Sequence, residues 1–316
     1  MTSNDFAVST INLTKQFSSS IAVNQLDLHV PKGAFCGFLG RNGAGKTTTL
    51  KMLMGLIKPT SGEIYIHGQK QEFGASHDLK IGYVPDVPNF YGYMTGAEFL
   101  RLCGDLSGIS EPRRSDMVNA LLKRVGLDKT KTRISGYSRG MKQRLGIAQA
   151  MIHDPEIILM DEPISALDPI GRKDVADIIR GLKGTTVIFS THILADVEDI
   201  CDYVVIIEKG KVLSQDTLSD LKQKHADDSL RISFYSEDDC QRFMVQAQTM
   251  FDGVHDANIQ CTKHDEYTLL VKVSSLNVIS STQKVIDLLH NNHLAVKSMQ
   301  AHHPSLEDIF YETIGK

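Results

Sequence analysis

The chain has 316 residues, of which 41% are hydrophobic and 23% are charged, and its formal net charge is -4 at pH 7. This composition is typical of a folded globular protein with room for a large domain and a smaller one. The slightly acidic balance argues against a general nucleic-acid binder, which would carry a basic face. The five cysteines follow no Cys-x-x-Cys spacing, so neither a disulfide framework nor a zinc knuckle is expected.

No segment has the features of a membrane span or a secretion signal. The apolar runs fall well short of the roughly 18 to 20 residues that cross a bilayer. The N-terminal segment MTSNDFAVST lacks both a basic flank and an apolar core. We therefore predict a cytoplasmic chain.

The first third of the chain combines strands with a glycine-rich loop. AVSTINLTKQF and SIAVNQLDLHV alternate in the manner of strands and predict an antiparallel edge. The apolar strand GAFCGFLG then runs directly into RNGAGKTTTL and the helical segment LKMLMGLI. Residues 97–127 carry apolar side chains at three- and four-residue spacings, which predicts a helical insert.

The rest of the chain shows two successive patterns of predicted strands and helices. From residue 157 on, EIILMDEP, TTVIFSTH and YVVIIEKGKVL predict short strands separated by helices, as in a parallel α/β sheet. After about residue 220 the predicted order is βαββαβ, that of a ferredoxin-like unit. A last helix, SLEDIFYETI, opens with Ser305 and Asp308 spaced as a capping box. We predict domains at residues 1–220 and 221–316.

The segment GRNGAGKT, residues 40–47, fits the phosphate-loop pattern G-x-x-x-x-G-K-[ST]. Glycines let the backbone turn its N–H groups toward phosphate oxygens, Lys46 reaches the outer phosphates, and the Thr47 hydroxyl ligates Mg²⁺. A strand before the loop and a helix after it supply the context that the pattern requires. The predicted nucleotide-binding residues are Gly40, Arg41, Asn42, Gly43, Ala44, Gly45, Lys46, Thr47 and Thr48.

Two acids and a histidine follow apolar strands further along the chain. Asp161, at the end of IILMD, can complete a Mg²⁺ shell with Thr47, and Glu162 can act as the general base toward water. His192 follows the strand TVIFS, where an imidazole can contact a γ-phosphate, although a lone histidine is often structural. Lys46, Glu162 and His192 are the predicted catalytic residues.

Residues 135–144, SGYSRGMKQR, contain two glycines, two serines and three cations, but no acid, histidine or thiol. Hydroxyls, freed backbone N–H groups and positive charge suit an anion such as a phosphate. A basic turn before an amphipathic helix has the same composition, so this stretch alone leaves both alternatives open.

Taken together, the motifs resemble those of ATP-binding cassette (ABC) ATPases. The phosphate loop, the signature YSRGM, ILMDEP, the segment SALD and His192 occur in that family's order. The resemblance implies an α/β P-loop cassette with a mixed sheet core, an antiparallel β edge and a helical insert, followed by a small α+β ferredoxin-like domain. It also implies ATP and Mg²⁺ as cofactors, and hydrolysis of ATP as the reaction.

Several roles are implied by the resemblance alone. Phe17 would stack on adenine, and residues 165–168, SALD, would contact a second cassette. In this family two cassettes dock head to tail, which implies that Ser138 and the backbone at Gly140 face the γ-phosphate of ATP on the partner's phosphate loop. The second cassette could be an identical or a different ATPase subunit.

Two stretches depart from the family pattern. Tyr137, Arg139 and Met141 replace the leucine, the first glycine and the glutamine of the usual Leu-Ser-Gly-Gly-Gln signature. In IGYVPDVPNF, Asp86 stands where the family usually has a glutamine that ligates Mg²⁺. A carboxylate is the stronger ligand for a hard cation but reaches less far. We predict that Asp86 is a metal ligand. The alternative is that Asp86 is a turn or cap residue at the start of the helical insert.

The ending HHPSLEDIFYETIGK, the form YSRGMKQR and the appended domain resemble ATPase subunits of ABC-2 type exporters. This implies a separate polytopic membrane permease as partner, no nucleic acid, and a position on the inner face of the cell membrane through the permease. Phe90, Tyr91 and Tyr93 are candidates for the permease contact, although they could equally pack the helical insert.

Other interpretations fit the sequence less well. A soluble ABC ATPase of ribosomes or DNA would have two cassettes in one chain or a coiled coil that splits the cassette. A regulatory module without hydrolysis would not need the predicted catalytic residues. Two histidine pairs, His290 with His293 and His302 with His303, lack the acid or cysteine that would complete a metal site. The transported substrate is not predicted.

Overall fold

A computed structural model of the chain describes residues 5–74, 80–225, 229–251, 260–272, 278–301 and 304–315. The chain divides into two compact units. The first comprises Met1–Leu218 and Thr313–Lys316, and the second comprises Ser219–Glu312.

The first unit contains two sheets and the helices that accompany them. Its strands are β1 Phe6–Phe17, β2 Ser20–Leu26, β3 His29–Pro31, β4 Phe35–Leu39, β5 Ser61–Ile66, β6 Gln69–Lys70, β7 Ile81–Val84, β8 Ile157–Asp161, β9 Thr186–Thr191, β10 Tyr203–Glu208 and β11 Lys211–Thr217. Its helices are α1 Lys46–Leu53, α2 Gly96–Leu106, α3 Arg113–Arg124, α4 Arg139–Met151, α5 Pro169–Arg180 and α6 Leu194–Ile200.

The N-terminal strands form the predicted antiparallel edge. β1 is the long central strand, and β2, β3 and β5 all pair with it in the antiparallel sense. Ala7, Val8 and Leu13 of β1 are fully buried and belong to the main hydrophobic core. The sheet therefore covers one side of the main hydrophobic core.

The larger sheet runs in the order β11-β10-β4-β9-β8-β7 and is parallel except for β11. Every residue of β8, with the sequence IILMD, is buried, so its apolar residues form a continuous run instead of alternating. The carboxyl ends of parallel strands meet at one edge of a sheet. The segments that follow β4, β7, β8 and β9 therefore converge at that edge.

The helical insert consists of α2 and α3, as residues 97–127 predict. Thr95 caps α2 in a capping box, since its side chain accepts a hydrogen bond from the Glu98 backbone and the Glu98 side chain accepts one from the Thr95 backbone. Asp86 lies well before this helix, directly after β7. Thr95 fills the cap position of the insert, so Asp86 is not its cap, and a turn residue remains the alternative to a metal ligand.

The second unit is an antiparallel sheet in the order β13-β14-β12-β15 with accompanying helices. Its elements, together with the helix that precedes them, are α7 Leu218–Lys224, β12 Ser229–Phe234, α8 Glu237–Phe251, β13 Gln260–Asp265, β14 Thr268–Lys272, α9 Val278–Asn291, β15 Val296–Ala301 and α10 Leu306–Gly315. This chain order and strand order are those of a ferredoxin-like unit. Buried apolar residues of β12 and β14, such as Phe234 and Leu269, share one core with Phe243 and Leu288.

Helix α10 begins at the predicted capping box. The Asp308 backbone N–H donates to Ser305 Oγ at 3.1 Å, and the Ser305 N–H donates to Asp308 Oδ2 at 2.9 Å. The two hydrogen bonds satisfy donors that the first turn of a helix leaves without partners.

Three further sequence expectations concern membranes, thiols and metals. No helix within the described ranges has the length and apolarity needed to cross a bilayer. The five cysteines are free thiols. In the same part of the chain, no group of three or more histidine, cysteine, aspartate or glutamate side chains is placed to hold a metal ion. His302 and His303 lie outside the described residues.

Candidate functional site

The phosphate loop, residues 40–47, wraps the N-terminus of α1. Gly43 and Gly45 have φ angles of 84° and 105°, in the region that side chains other than glycine rarely adopt. At Gly45 a Cβ atom would also lie 2.5 Å from the Ala22 carbonyl oxygen. Gly45 caps α1 without any side-chain hydrogen bond, which leaves first-turn N–H groups available to an anion.

Backbone hydrogen bonds hold this loop in place from outside. The Gly210 N–H, in the turn between β10 and β11, donates to the Ala44 carbonyl at 2.9 Å. The Gly210 carbonyl in turn accepts from the Asn24 N–H at 2.9 Å. The turn between β10 and β11 thus contacts the phosphate loop directly, and β2 contacts that turn.

Lys46 is buried at the start of α1. Its Nζ donates to the Gly40 carbonyl at 2.7 Å and lies 3.6 Å from Glu162 Oε1. Burial lowers the pKa of Lys46, and the carboxylates of Glu162 and Asp161 act in the opposite direction. The ammonium group is therefore held at the loop by polar partners that a phosphate could replace.

Asp161 ends β8 next to two hydroxyl groups. Its Oδ1 accepts hydrogen bonds from Thr47 Oγ1 at 3.1 Å and from Ser190 Oγ at 2.6 Å, and the residue is only 4% exposed. Carboxylate and hydroxyl oxygens are the ligands that Mg²⁺ prefers. The structure thus brings together the predicted metal ligands Thr47 and Asp161.

Glu162 follows in a left-handed conformation, with φ at 47°. Such a conformation costs a non-glycine residue about 1–3 kcal/mol, and the Glu162 N–H offsets this by donating to both Ser190 O and Ser190 Oγ at 3.1 Å. His192 Nδ1 lies 3.0 Å from each oxygen of the Glu162 carboxylate. The carboxylate is therefore flanked by Lys46 on one side and His192 on the other.

The signature loop, residues 135–144, has a different environment. Ser138 is exposed and caps α4, because its Oγ accepts a hydrogen bond from the Met141 N–H at 3.2 Å. Gly140 is partly buried beside Leu167 and Gly171. Across the residues that the structure describes, no hydrogen bond or ion pair joins this loop to the phosphate loop of the same chain.

Asp86 lies on the segment that follows β7. Its side chain is 50% exposed, and its Oδ1 lies 4.0 Å from Arg139 Nη2 in the signature loop. The hydrogen bonds and ion pairs of the described residues include none between Asp86 and Thr47 or Asp161. The structure thus does not bring Asp86 to the other predicted metal ligands.

Comparisons with known proteins identify the family of this chain. Residues 23–165 match the family described as ABC transporter. The bacitracin transport ATP-binding protein of Bacillus licheniformis is 36% identical over 313 residues, which are 98% of this chain and 97% of that protein. An uncharacterised ABC transporter ATP-binding protein of Bacillus subtilis (strain 168) is 46% identical over 215 residues, 67% of this chain and 72% of that one. The chain belongs to the ABC transporter family.

Solved structures of ABC ATPases share the fold of the first unit. An ATP-binding subunit of an ABC transporter has a TM-score of 0.62 and 30% identity, covering 69% of this chain and 92% of that one. A dimeric ATP-binding cassette in a post-hydrolysis state, bound to ADP and Pi, has a TM-score of 0.60 and 27% identity, covering 67% and 98%. The predicted cassette fold and ATP hydrolysis as the reaction are confirmed, and the ribosome or DNA alternative is not favoured.

Phe17, the predicted adenine platform, lies at the end of β1 in the ABC cassette. Its ring is 43% exposed, and Lys15 Nζ lies 4.9 Å from the ring centroid. An exposed aromatic face next to a cation suits stacking with a base near phosphates. Phe17 is thus a partly exposed residue with the Lys15 ammonium group over one face of its ring.

The segment SALD, residues 165–168, lies between β8 and α5. Ser165 Oγ donates to the Glu162 carbonyl at 3.2 Å. Asp168 caps α5 by accepting a hydrogen bond from the Gly171 N–H at 3.0 Å. The segment thus positions both Glu162 and the start of the next helix.

The three aromatic residues after β7 separate into two groups. Phe90 packs edge-on against Phe99 of α2, with ring centroids 5.0 Å apart. Tyr91 and Tyr93 are 54% and 66% exposed. Phe90 therefore packs the helical insert. Tyr91 also lies edge-on to Phe99, at 6.4 Å between ring centroids, but both tyrosines stay largely exposed.

Ser190 is the residue of this site that sequence analysis missed. Its hydroxyl and carbonyl contact both Asp161 and Glu162, and the residue is fully buried. The available signal was its position as a polar residue inside the apolar strand TVIFST. A buried hydroxyl needs a hydrogen-bond partner, and the neighbouring strand end provides one.

Proposed function

We propose that this ABC ATPase drives an ABC-2 type exporter whose permease is a separate membrane protein. The support is the similarity to the bacitracin transport ATP-binding protein, which extends over 98% of this chain and so includes both units. In this proposal residues 1–220 form the nucleotide-binding domain, and residues 221–316 form an accessory domain. The chain acts at the inner face of the cell membrane through its permease and takes no nucleic acid as partner.

The ATP site that we propose consists of residues 40–48 together with Phe17. Thr47 and Asp161 hold Mg²⁺, with Asp86 as a further ligand, and the ion supplies positive charge at the phosphates. The observation that carries the catalytic assignment is the position of the Glu162 carboxylate, 3.6 Å from Lys46 Nζ and 3.0 Å from His192 Nδ1. Glu162 accepts a proton from the attacking water, Lys46 holds phosphate, and His192 orients this carboxylate and senses the γ-phosphate.

We further propose that two ATPase subunits dock head to tail. Ser138 and Gly140 then contact the γ-phosphate of ATP held by the partner, which makes the nucleotide part of the interface. Exposure of Ser138 and its separation from its own phosphate loop support this, as does the dimeric form of a solved relative. Tyr91 and Tyr93 are the proposed surface for the permease.

Mixing two inactive variants tests this arrangement. Ser138→Arg disrupts the signature loop, and Lys46→Ala removes the phosphate-binding ammonium group of the phosphate loop. A mixed dimer keeps one intact composite site, because the phosphate loop of the first variant meets the signature loop of the second. We expect partial ATPase activity to return when the two chains are mixed.

The matched control is Ser107→Arg, which adds the same charge at the exposed end of α2. This variant should keep its own activity. Absence of recovery in samples where mixed dimers are demonstrated would contradict head-to-tail docking.

A further inference from the structure

Two residues at which this chain departs from the usual ABC pattern lie opposite each other. Asp86 replaces the usual glutamine, Arg139 replaces the first signature glycine, and their charged atoms are 4.0 Å apart. Arg139 forms no other ion pair among the described residues. Both side chains are about half exposed, at 50% and 58%. We call this contact the 86–139 pair.

The segments that carry the two residues are already joined by their backbones. The Ile134 N–H donates to the Met94 carbonyl at 2.8 Å, and the Ser135 N–H donates to the Gly92 carbonyl at 3.0 Å. A short bridge between Thr95 and residue 133 continues this contact. The backbone contacts thus lie between residues 92–95 and 133–135, and the 86–139 pair adds a contact between charged side chains of the same two segments.

The 86–139 pair is exposed, and its exposure limits its strength. Exposed ion pairs contribute little to stability and are screened by salt, so their partners exchange easily. A triphosphate with Mg²⁺ offers a cation to Asp86 and a phosphate oxygen to Arg139. Arg139 is well placed for the second exchange, because it lies between Ser138 and Gly140 and its guanidinium suits phosphate.

We propose that the 86–139 pair is an exchangeable restraint on the signature loop. In the nucleotide-free cassette Asp86 holds Arg139 within its own chain. When Mg²⁺ and ATP bind, Asp86 turns toward its own metal site, and Arg139 turns to the γ-phosphate of ATP on the partner subunit. This inference rests on the head-to-tail dimer proposed above, and it makes Arg139 a phosphate-positioning residue.

A double-mutant cycle tests the restraint through dimerisation. The parent carries Glu162→Gln, so that hydrolysis does not remove the nucleotide. Arg139→Gln, Asp86→Asn and the double variant are each titrated with ATP at saturating Mg²⁺, and dimer formation is followed by light scattering. Arg139→Gln is expected to raise the half-maximal ATP concentration severalfold, because the cation is lost.

Asp86→Asn is expected to give a half-maximal ATP concentration about two- to fivefold lower, relative to its direct effect on Mg²⁺, when Arg139 is present, which is the range of an exposed ion pair. In the Arg139→Gln background the same change should give no such decrease. The cycle separates this coupling from a direct effect of Asp86 on Mg²⁺, because a direct effect is present in both backgrounds.

Lys80→Gln is the matched control, since Lys80 belongs to another exposed pair, 3.3 Å from Glu156. The Lys80→Gln variant should leave the half-maximal ATP concentration unchanged. Equal effects of Asp86→Asn in both backgrounds would overturn the restraint and leave the dimer standing. A parent that binds ATP without forming dimers would overturn the proposed dimer itself, and the restraint with it.

Discussion

The Glu162 carboxylate owes its position to constraints from three directions. Its backbone is held in a left-handed conformation by two hydrogen bonds from its N–H to Ser190. Its side chain is 15% exposed and contacts both Lys46 and His192. A carboxylate in such surroundings keeps one orientation, which suits the proposed role of Glu162 as the base.

Glu162→Gln preserves the size and the hydrogen bonding of the side chain but removes the base. We expect ATP turnover to fall by about 10²-fold or more while ATP still binds and dimers accumulate. Steady-state phosphate release and equilibrium nucleotide binding measure the two effects. Glu156→Gln, at an exposed carboxylate outside the site, should keep normal turnover. Wild-type turnover in Glu162→Gln would contradict the assignment of the base.

At the scale of elements, α5 follows β8 in the chain and contacts α6, the helix after His192. Asp168 caps the helix and Pro169 occupies its first turn, a favourable start for a helix. One turn further on, Arg172 Nη2 donates a hydrogen bond to Asp196 Oδ1 of α6 at 2.7 Å. Because α6 follows His192, the start of α5 influences both strand ends of the site.

Asp168→Ala removes the cap and should lower the free energy of unfolding by about 1 kcal/mol. Asp168→Asn keeps an oxygen acceptor and should stay within a few tenths of a kcal/mol of the parent. Urea unfolding followed by circular dichroism compares the two variants. If asparagine proved as destabilising as alanine, the charge of Asp168 and not its capping bond would be the stabilising feature.

At the scale of the whole molecule, every motif that we propose to face phosphate lies in the first compact unit. The second unit, Ser219–Glu312, has its own sheet and its own hydrophobic core. A separate core is what allows a domain to fold independently. Residues 221–316 therefore suit a role in regulation or dimer support more than a role in the ATP site.

A truncation after residue 220 should still bind ATP, and isothermal calorimetry or a fluorescent ATP analogue measures this binding. Its melting temperature should fall, because the truncation also removes Thr313–Lys316, which belong to the first unit. The same truncation with Lys46→Ala is the control for specific binding. Loss of nucleotide binding in a truncated chain that is folded by circular dichroism would place part of the ATP site in residues 221–316.

The sequence by itself determined the features that depend on neighbouring residues. The phosphate loop, the acids that end β8, the helical insert and the capping box of Ser305 and Asp308 each follow from spacing within a few residues. Turns, caps and periodic apolar faces are local, so their patterns are visible before the chain is folded.

Only the tertiary structure decided contacts between distant segments. It placed Ser190 against Asp161, brought Asp86 to Arg139, and gave the cap of α2 to Thr95. It also turned Phe90 inward and left Tyr91 exposed. These outcomes depend on strand register and on the path of loops, and sequence spacing does not encode which distant side chains meet at the edge of a parallel sheet.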